Sequence, residues 1–98
     1  MNIQAMMKQA QKLQKEMMNA KEEIDNKTYT VTNSFVTATI KGNKTIENIK
    51  IEKENLDKED IEMLEDIITV VINNAMKEID KETEQKMGKY TQGMPGLF

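Results

Sequence analysis

Between residues 3 and 24 the apolar side chains Ile3, Met6, Ala10, Leu13, Met17, Ala20 and Ile24 fall alternately three and four residues apart. That spacing keeps a narrow seam in line along an α-helix for three heptads, and such a seam calls for a second helix packed along it. Behind the seam stand Lys8, Lys12 and Lys15, at i, i+4 and i+7, with no acid before Glu16. Residues 3–26 are dominated by Ala, Gln, Lys, Met and Glu, all good helix formers. The helix predicted there is about 36 Å long. A basic rod with one apolar seam predicts a projecting arm in an oligomer, with an outer side able to meet an anion.

At Thr28 the period changes from helical to two. Tyr29 and Val31 alternate with Thr28, Thr30 and Thr32, and Asn33-Ser34 marks a turn. Val36, Ala38 and Ile40 alternate with Thr37, Thr39 and Lys41. Gly42-Asn43 then fits a two-residue hairpin loop with glycine first. A third strand carries Ile46, Ile49 and Ile51, and its slip of phase predicts a bulge near Glu47-Asn48. The expected product is a three-stranded antiparallel meander over about residues 28–52, apolar on one face and threonine-rich on the other.

A second helix, over about residues 58–87, is expected to cover the apolar face. Asp57 suits its N-cap, with Asp60 three residues on in a capping-box position. Ile61, Leu64, Ile67, Ile68, Val71, Ile72, Ala75 and Ile79 follow at helical spacing and cover more than one face. Either the helix is deeply buried on its own sheet, or a second face meets another subunit. The latter reading places Ile3, Met6, Ala10 and Leu13 of helix one, with Ile68, Val71, Ile72 and Ala75, at a homodimer interface. Residues 80–86 are polar all round and are expected to project into solvent, so Glu82→Ala should cost under ~0.5 kcal/mol. Gly88 or the Gly93 region should end the helix, and residues 93–98 form a nonhelical apolar tail. Residues 1–98 form one α+β domain: helix, three-stranded antiparallel sheet, helix.

Composition narrows the chemistry. The chain has 98 residues, with neither cysteine nor histidine. That excludes disulfides, zinc sites of the usual kinds and His-dependent nucleophiles. Glu62, Glu65 and Asp66 sit on the presumed solvent face of helix two, and no metal site is expected there. Nothing assembles an active site, so neither an enzyme nor a cofactor nor a small-molecule substrate is expected. No apolar run approaches the ~20 residues of a membrane span and there is no signal-peptide core, which points to a cytoplasmic protein. All fourteen basic residues are lysines. Net charge is −3, divided as +3 over residues 1–21, −6 over 22–76 and zero over 77–98. The positive excess thus belongs to helix one.

Lys8, Lys12 and Lys15 form either a solvated face or a phosphate-contacting strip. Gln9, Gln11 and Gln14 could add hydrogen bonds, and Lys86 and Lys89 could join if the two helix ends lie close. The nine methionines read as flexible filler or as an adaptable protein-binding surface.

The chain as a whole carries a resemblance. Met7-Lys8-Gln9-Ala10-Gln11-Lys12 stands in helix one, followed by the hairpin Val36-Thr37-Ala38-Thr39-Ile40-Lys41-Gly42-Asn43 and by Ile49-Lys50-Ile51. Asp60-Ile61-Glu62-Met63-Leu64-Glu65-Asp66, Asn73-Asn74-Ala75-Met76, Lys86-Met87 and Gly93-Met94-Pro95-Gly96-Leu97-Phe98 complete the order. In that order and spacing the chain closely resembles the YbaB/EbfC family of bacterial nucleoid-associated proteins. The resemblance implies a homodimer with joined sheets and projecting helices, binding duplex DNA with limited sequence preference in the nucleoid. It implies DNA contacts at Lys8, Gln9, Gln11, Lys12 and Lys15, with Lys86 and Lys89 at the far end of helix two. The alternative is a dimeric protein-interaction module of the replication or recombination machinery whose DNA contact is incidental.

Overall fold

The computed structural model describes residues 2–91. Helix α1 (Ile3–Asn26) leads into strands β1 (Thr28–Asn33), β2 (Val36–Lys41) and β3 (Ile46–Ile51), and helix α2 (Lys58–Thr91) closes the order. The expected tail, residues 93–98, lies outside the described part.

The strands form an antiparallel sheet in the order β1-β2-β3. Its register pairs Tyr29 with Ile40, Val31 with Ala38, Val36 with Ile51 and Ala38 with Ile49. Partners across a ladder share a face, so these side chains make one apolar surface. The register shifts so that Thr39 pairs with Asn48 but Ile40 with Ile46. Glu47 is the extra residue, and the bulge returns Ile46 to the apolar face that strict alternation would deny it. On the opposite face the threonines of β1 and β2 pair, with Thr32 and Thr37 hydroxyls 2.9 Å apart.

Helix α2 lies across β1 and β2. Ile67, Val71, Ala75 and Ile79, four residues apart, are buried against Tyr29, Val36, Ala38 and Ile40. Its start is the reciprocal cap foreseen: the Asp60 N–H donates to the Asp57 carboxylate at 2.9 Å and the Asp57 N–H to that of Asp60 at 3.2 Å. Lys53 adds an ion pair to Asp60 at 2.7 Å and is the first cause holding that carboxyl below its ordinary range.

Four expectations are corrected. The loop between β2 and β3 is longer than two residues: the Lys41 N–H donates to the Thr45 carbonyl and the Lys44 N–H to that of Lys41. Positive φ falls on Lys44, at 70°, and glycine is needed at 42 for another reason. A Cβ on Gly42 would run into the backbone carbonyl of Ile24. The bare backbone instead docks on the end of α1, donating from Gly42 N–H to the Lys27 carbonyl at 2.9 Å and from Asn43 N–H to that of Asp25 at 3.3 Å. Second, α2 continues through Gly88 to Thr91 rather than stopping near 87. Third, its outer part is not free of the body, because Met87 is buried and Glu82 is engaged. Fourth, Val71 and Ala75 are wholly enclosed in the chain's own core, which leaves Ile68 and Ile72, partly buried, as the accessible residues of that set.

Helix α1 stands away from the sheet. Only Ile24 is buried, and Met17, Ala20 and Lys21 are half-buried where α1 and α2 run side by side. Met87 of α2 lines a shallow groove there together with Met17, Met18, Lys21 and Asp25. Residues 2–16 are all exposed. The radius of gyration is 19.5 Å and the molecule measures 71 × 20 × 14 Å. A compact chain of this length would have a radius near ~13 Å, so the difference is the projecting arm.

Candidate nucleic-acid interface

The arm's outer half concentrates positive charge by arrangement rather than by composition. Asn2 caps α1, its side chain accepting from the Gln4 N–H at 3.0 Å, and the first turn holds no acid. The positive end of the helix dipole is therefore not offset by a carboxylate. Lys8, Lys12 and Lys15 follow, one per turn, all exposed. Among the described residues no acid forms an ion pair with any of them. Their spacing puts them on the side of the helix opposite the apolar seam, over a length of about 10 Å. Gln9 and Gln11 are exposed on either flank. Toward the sheet the character changes, as Lys21 is held by Asp25 at 2.6 Å and Glu22 and Glu23 follow.

The remaining expected contacts sit elsewhere. Lys86 lies 3.3 Å from the Glu82 carboxylate, and the Lys89 ammonium is 4.9 Å from the Tyr90 ring centre. Both are on α2 beside the middle of the arm, at the level where Met87 and Met17 line one groove. The structure thus brings Lys8, Lys12 and Lys15 together as one surface and leaves Lys86 within a separate, mixed cluster.

That cluster is what reading the sequence missed. Lys27 donates to both Glu82 oxygens at 2.7 and 2.9 Å, and the Tyr29 hydroxyl donates to Glu82 at 2.5 Å. The Lys27 hydrogen bonds, then that of Tyr29, pull the Glu82 carboxyl down to about 2 against the opposing effect of burial. Burial first, and Glu82 second, push the Tyr29 phenol well above its usual range, so it stays a donor. The cluster ties the α1–β1 junction to α2 and fixes the base of the arm. A signal was present: Glu82 continues the row Ala75, Ile79 by one further helical step, and so belongs to the covered face.

Comparison with known proteins places the chain among relatives. The profile of the YbaB/EbfC DNA-binding family matches residues 1–94. A nucleoid-associated protein of Enterococcus faecalis (strain ATCC 700802 / V583) is 46% identical over 98 residues, covering 98% of this chain and 94% of its own. One from Lactococcus lactis subsp. cremoris (strain MG1363) is 45% identical over 97 residues, covering 97% and 98%. One from Ligilactobacillus salivarius (strain UCC118) is 38% identical over 99 residues, covering 99% and 95%.

Proposed function

The chain belongs to the YbaB/EbfC DNA-binding family, and from that starting point we propose that it binds duplex DNA as a homodimer through the lysine face of α1, with little sequence preference, and acts at the nucleoid. The observation that carries the reading is the row Lys8, Lys12, Lys15, exposed and free of acidic partners among the described residues, on the outer half of a projecting helix. Lysine meets phosphate as a point charge. The bidentate fork that reads guanine is absent from a chain whose basic residues are all lysine. Gln9 and Gln11 can hydrogen-bond phosphate or base edges beside the row.

Homodimerisation is supported by what α2 leaves uncovered. β3 is an edge strand with one ladder open. Its Ile46 and Ile51 are 45% and 40% exposed on the apolar face, beside the partly buried Ile49, Ile68, Ile72 and Met76. An open edge flanked by apolar side chains favours pairing with a second β3. The dimer would carry two arms and twice the positive charge.

A titration of duplex DNA across salt concentrations tests the reading. Six lysines on two arms, each neutralising one phosphate, give a slope of log Kobs against log[salt] of about −5. Lys8→Glu with Lys12→Glu should abolish binding and leave the helix content and dimer mass unchanged. Absence of binding by the wild type at low salt, or unchanged binding by the double variant, would overturn it.

A further inference from the structure

The seam of α1 has two halves that differ in cover. Met17, Ala20 and Ile24 are partly or wholly buried where α1 and α2 run side by side. Further out the same seam holds Leu13, Ala10, Met6 and Ile3, all exposed, with Leu13, Met6 and Ile3 at 44%, 51% and 72%. A helix with its apolar seam in water is marginal in isolation. We propose that this outer seam pairs antiparallel with the same seam of a second copy, over residues 2–16, and that the pair holds two lysine faces back to back.

Register comes first. About a two-fold axis at residue 8, Ile3 faces Leu13 of the second copy and Met6 faces its Ala10. Each layer then joins one a to one d position, and the long Met6 lies over the small Ala10. The seam is complementary to itself when reversed. Charge comes second. The positions beside these layers are Asn2, Met7, Gln9, Gln14 and Glu16. Around the axis Met7 meets Met7 and Gln9 meets Gln9, so no like charges are opposed. Glu16, the one charged flank, falls beside the second copy's first helical turn. That turn holds no acid of its own, and a carboxylate there offsets the positive end of the helix dipole. A parallel pair instead brings two such positive ends together and leaves Glu16 far from both. Extent comes third. The overlap demanded by this register is the stretch that is exposed throughout, and burial begins at Met17, the next seam position.

The two sheets then lie at opposite ends of the pair. The bases of the arms, at Ile24, stand about 48 Å apart, too far for β3 of one chain to reach β3 of the other. The arm contact therefore links one β3-paired dimer to the next. Its overlap is only about 21 Å long, and a dimer carrying two arms gains by avidity. Lys8, Lys12 and Lys15 lie opposite the seam and stay on the outer sides of the pair. Resting on the DNA reading above, the assembly joins two duplexes side by side; the pairing itself does not depend on that reading.

The chain has no cysteine, so single thiols can be placed in the full-length protein. Ile3→Cys protein and Leu13→Cys protein, mixed in equal amounts and mildly oxidised, should give the mixed disulfide about tenfold over either like-with-like disulfide, as effective concentration dictates. Peptide mass mapping reads the products. An excess of like-with-like products would overturn the antiparallel pairing, and a statistical mixture would overturn pairing altogether. Met6→Glu with Leu13→Glu, both at exposed positions, should lower the mass of the largest assembly in sedimentation velocity about twofold, with circular dichroism unchanged. An unchanged mass would overturn the proposal. Wild-type protein should carry a fluorescent duplex onto an immobilised one, and the Met6→Glu, Leu13→Glu variant should bind a single duplex yet lose about tenfold of that carry-over; undiminished carry-over would overturn bridging through the seam. A mixed disulfide formed by protein that binds no duplex would support the pairing and sink the DNA reading alone.

Discussion

Replacing Glu82 by alanine removes the acceptor on which Lys27 and Tyr29 converge, and its cost can be worked out in two ways. The first counts bonds. Tyr29 is 6% exposed, so its hydroxyl loses a hydrogen bond to a charged group, worth about 1.5–3 kcal/mol, with little water to replace it. The Lys27 ammonium is half-exposed, at 50%, and its ion pair adds about 0.2–1 kcal/mol. The second starts from ionisation. Glu82 moves from an ordinary glutamate value of 4.5 to about 2, a gap equivalent to about 3.4 kcal/mol at most. The carboxylate is 18% exposed, and solvent screening reduces that ceiling to about 2 kcal/mol. Both routes give roughly 2–3 kcal/mol. Urea unfolding followed by circular dichroism, at one fixed protein concentration, measures it. The midpoint should fall with m unchanged. Because the folded value is depressed, the contribution is fully present above pH 4.5 and is lost as pH falls from there toward 2. Glu82→Gln keeps an acceptor for Tyr29 and should lose only the pH-dependent share, with stability flatter than wild type over that window. A loss below ~0.5 kcal/mol for Glu82→Ala, the size of an ordinary surface change, would refute the reasoning.

Other outcomes follow from the same geometry. Gly42→Ala should destabilise by about 2–4 kcal/mol, since backbone rather than a flexible side chain must yield; an unchanged melting midpoint would show that the loop re-docks without strain. Ile72→Asp places a charge on the partly buried flank of α2 and should convert the proposed dimer to a monomer in sedimentation equilibrium at micromolar concentration, whereas a persisting dimer would move the interface elsewhere. Asp57→Ala removes the acceptor of the α2 cap and should cost about 1 kcal/mol in urea unfolding.

The elements were legible because two periods write them directly. A three-four spacing marks the seam of α1, and alternation marks each strand. The phase slip between Ile46 and Ile49 even located the bulge at Glu47. The α2 cap was equally plain, since its chemistry is contained within four residues. What escaped reading depends on contacts between distant segments. Gly42 looks like turn chemistry, yet it is glycine because Ile24 approaches it. Glu82, within a run of charges, looks solvated until Lys27 and Tyr29 are brought to it from 55 and 53 residues away. Spacing alone also could not divide the two stripes of α2, where Val71 and Ala75 belong to the core and Ile68 and Ile72 remain at its margin. The lysine row of α1 was visible as a strip, but its freedom from acidic partners among the described residues required the structure.

The contact of Gly42 with the end of α1 has a mechanical consequence. The hairpin and Ile24 form a fulcrum, and Lys15, Lys12 and Lys8 are carried about 14 to 24 Å out along the helix. A tilt of about 5° at that fulcrum displaces Lys8 by about 2 Å, more than half the rise between successive phosphates on one strand. Small changes at residues 24, 25, 27 and 42, none of which need touch a ligand, would therefore set the direction in which the arm points. Of these positions 42 has the least slack, because its missing Cβ is what allows the fulcrum to close.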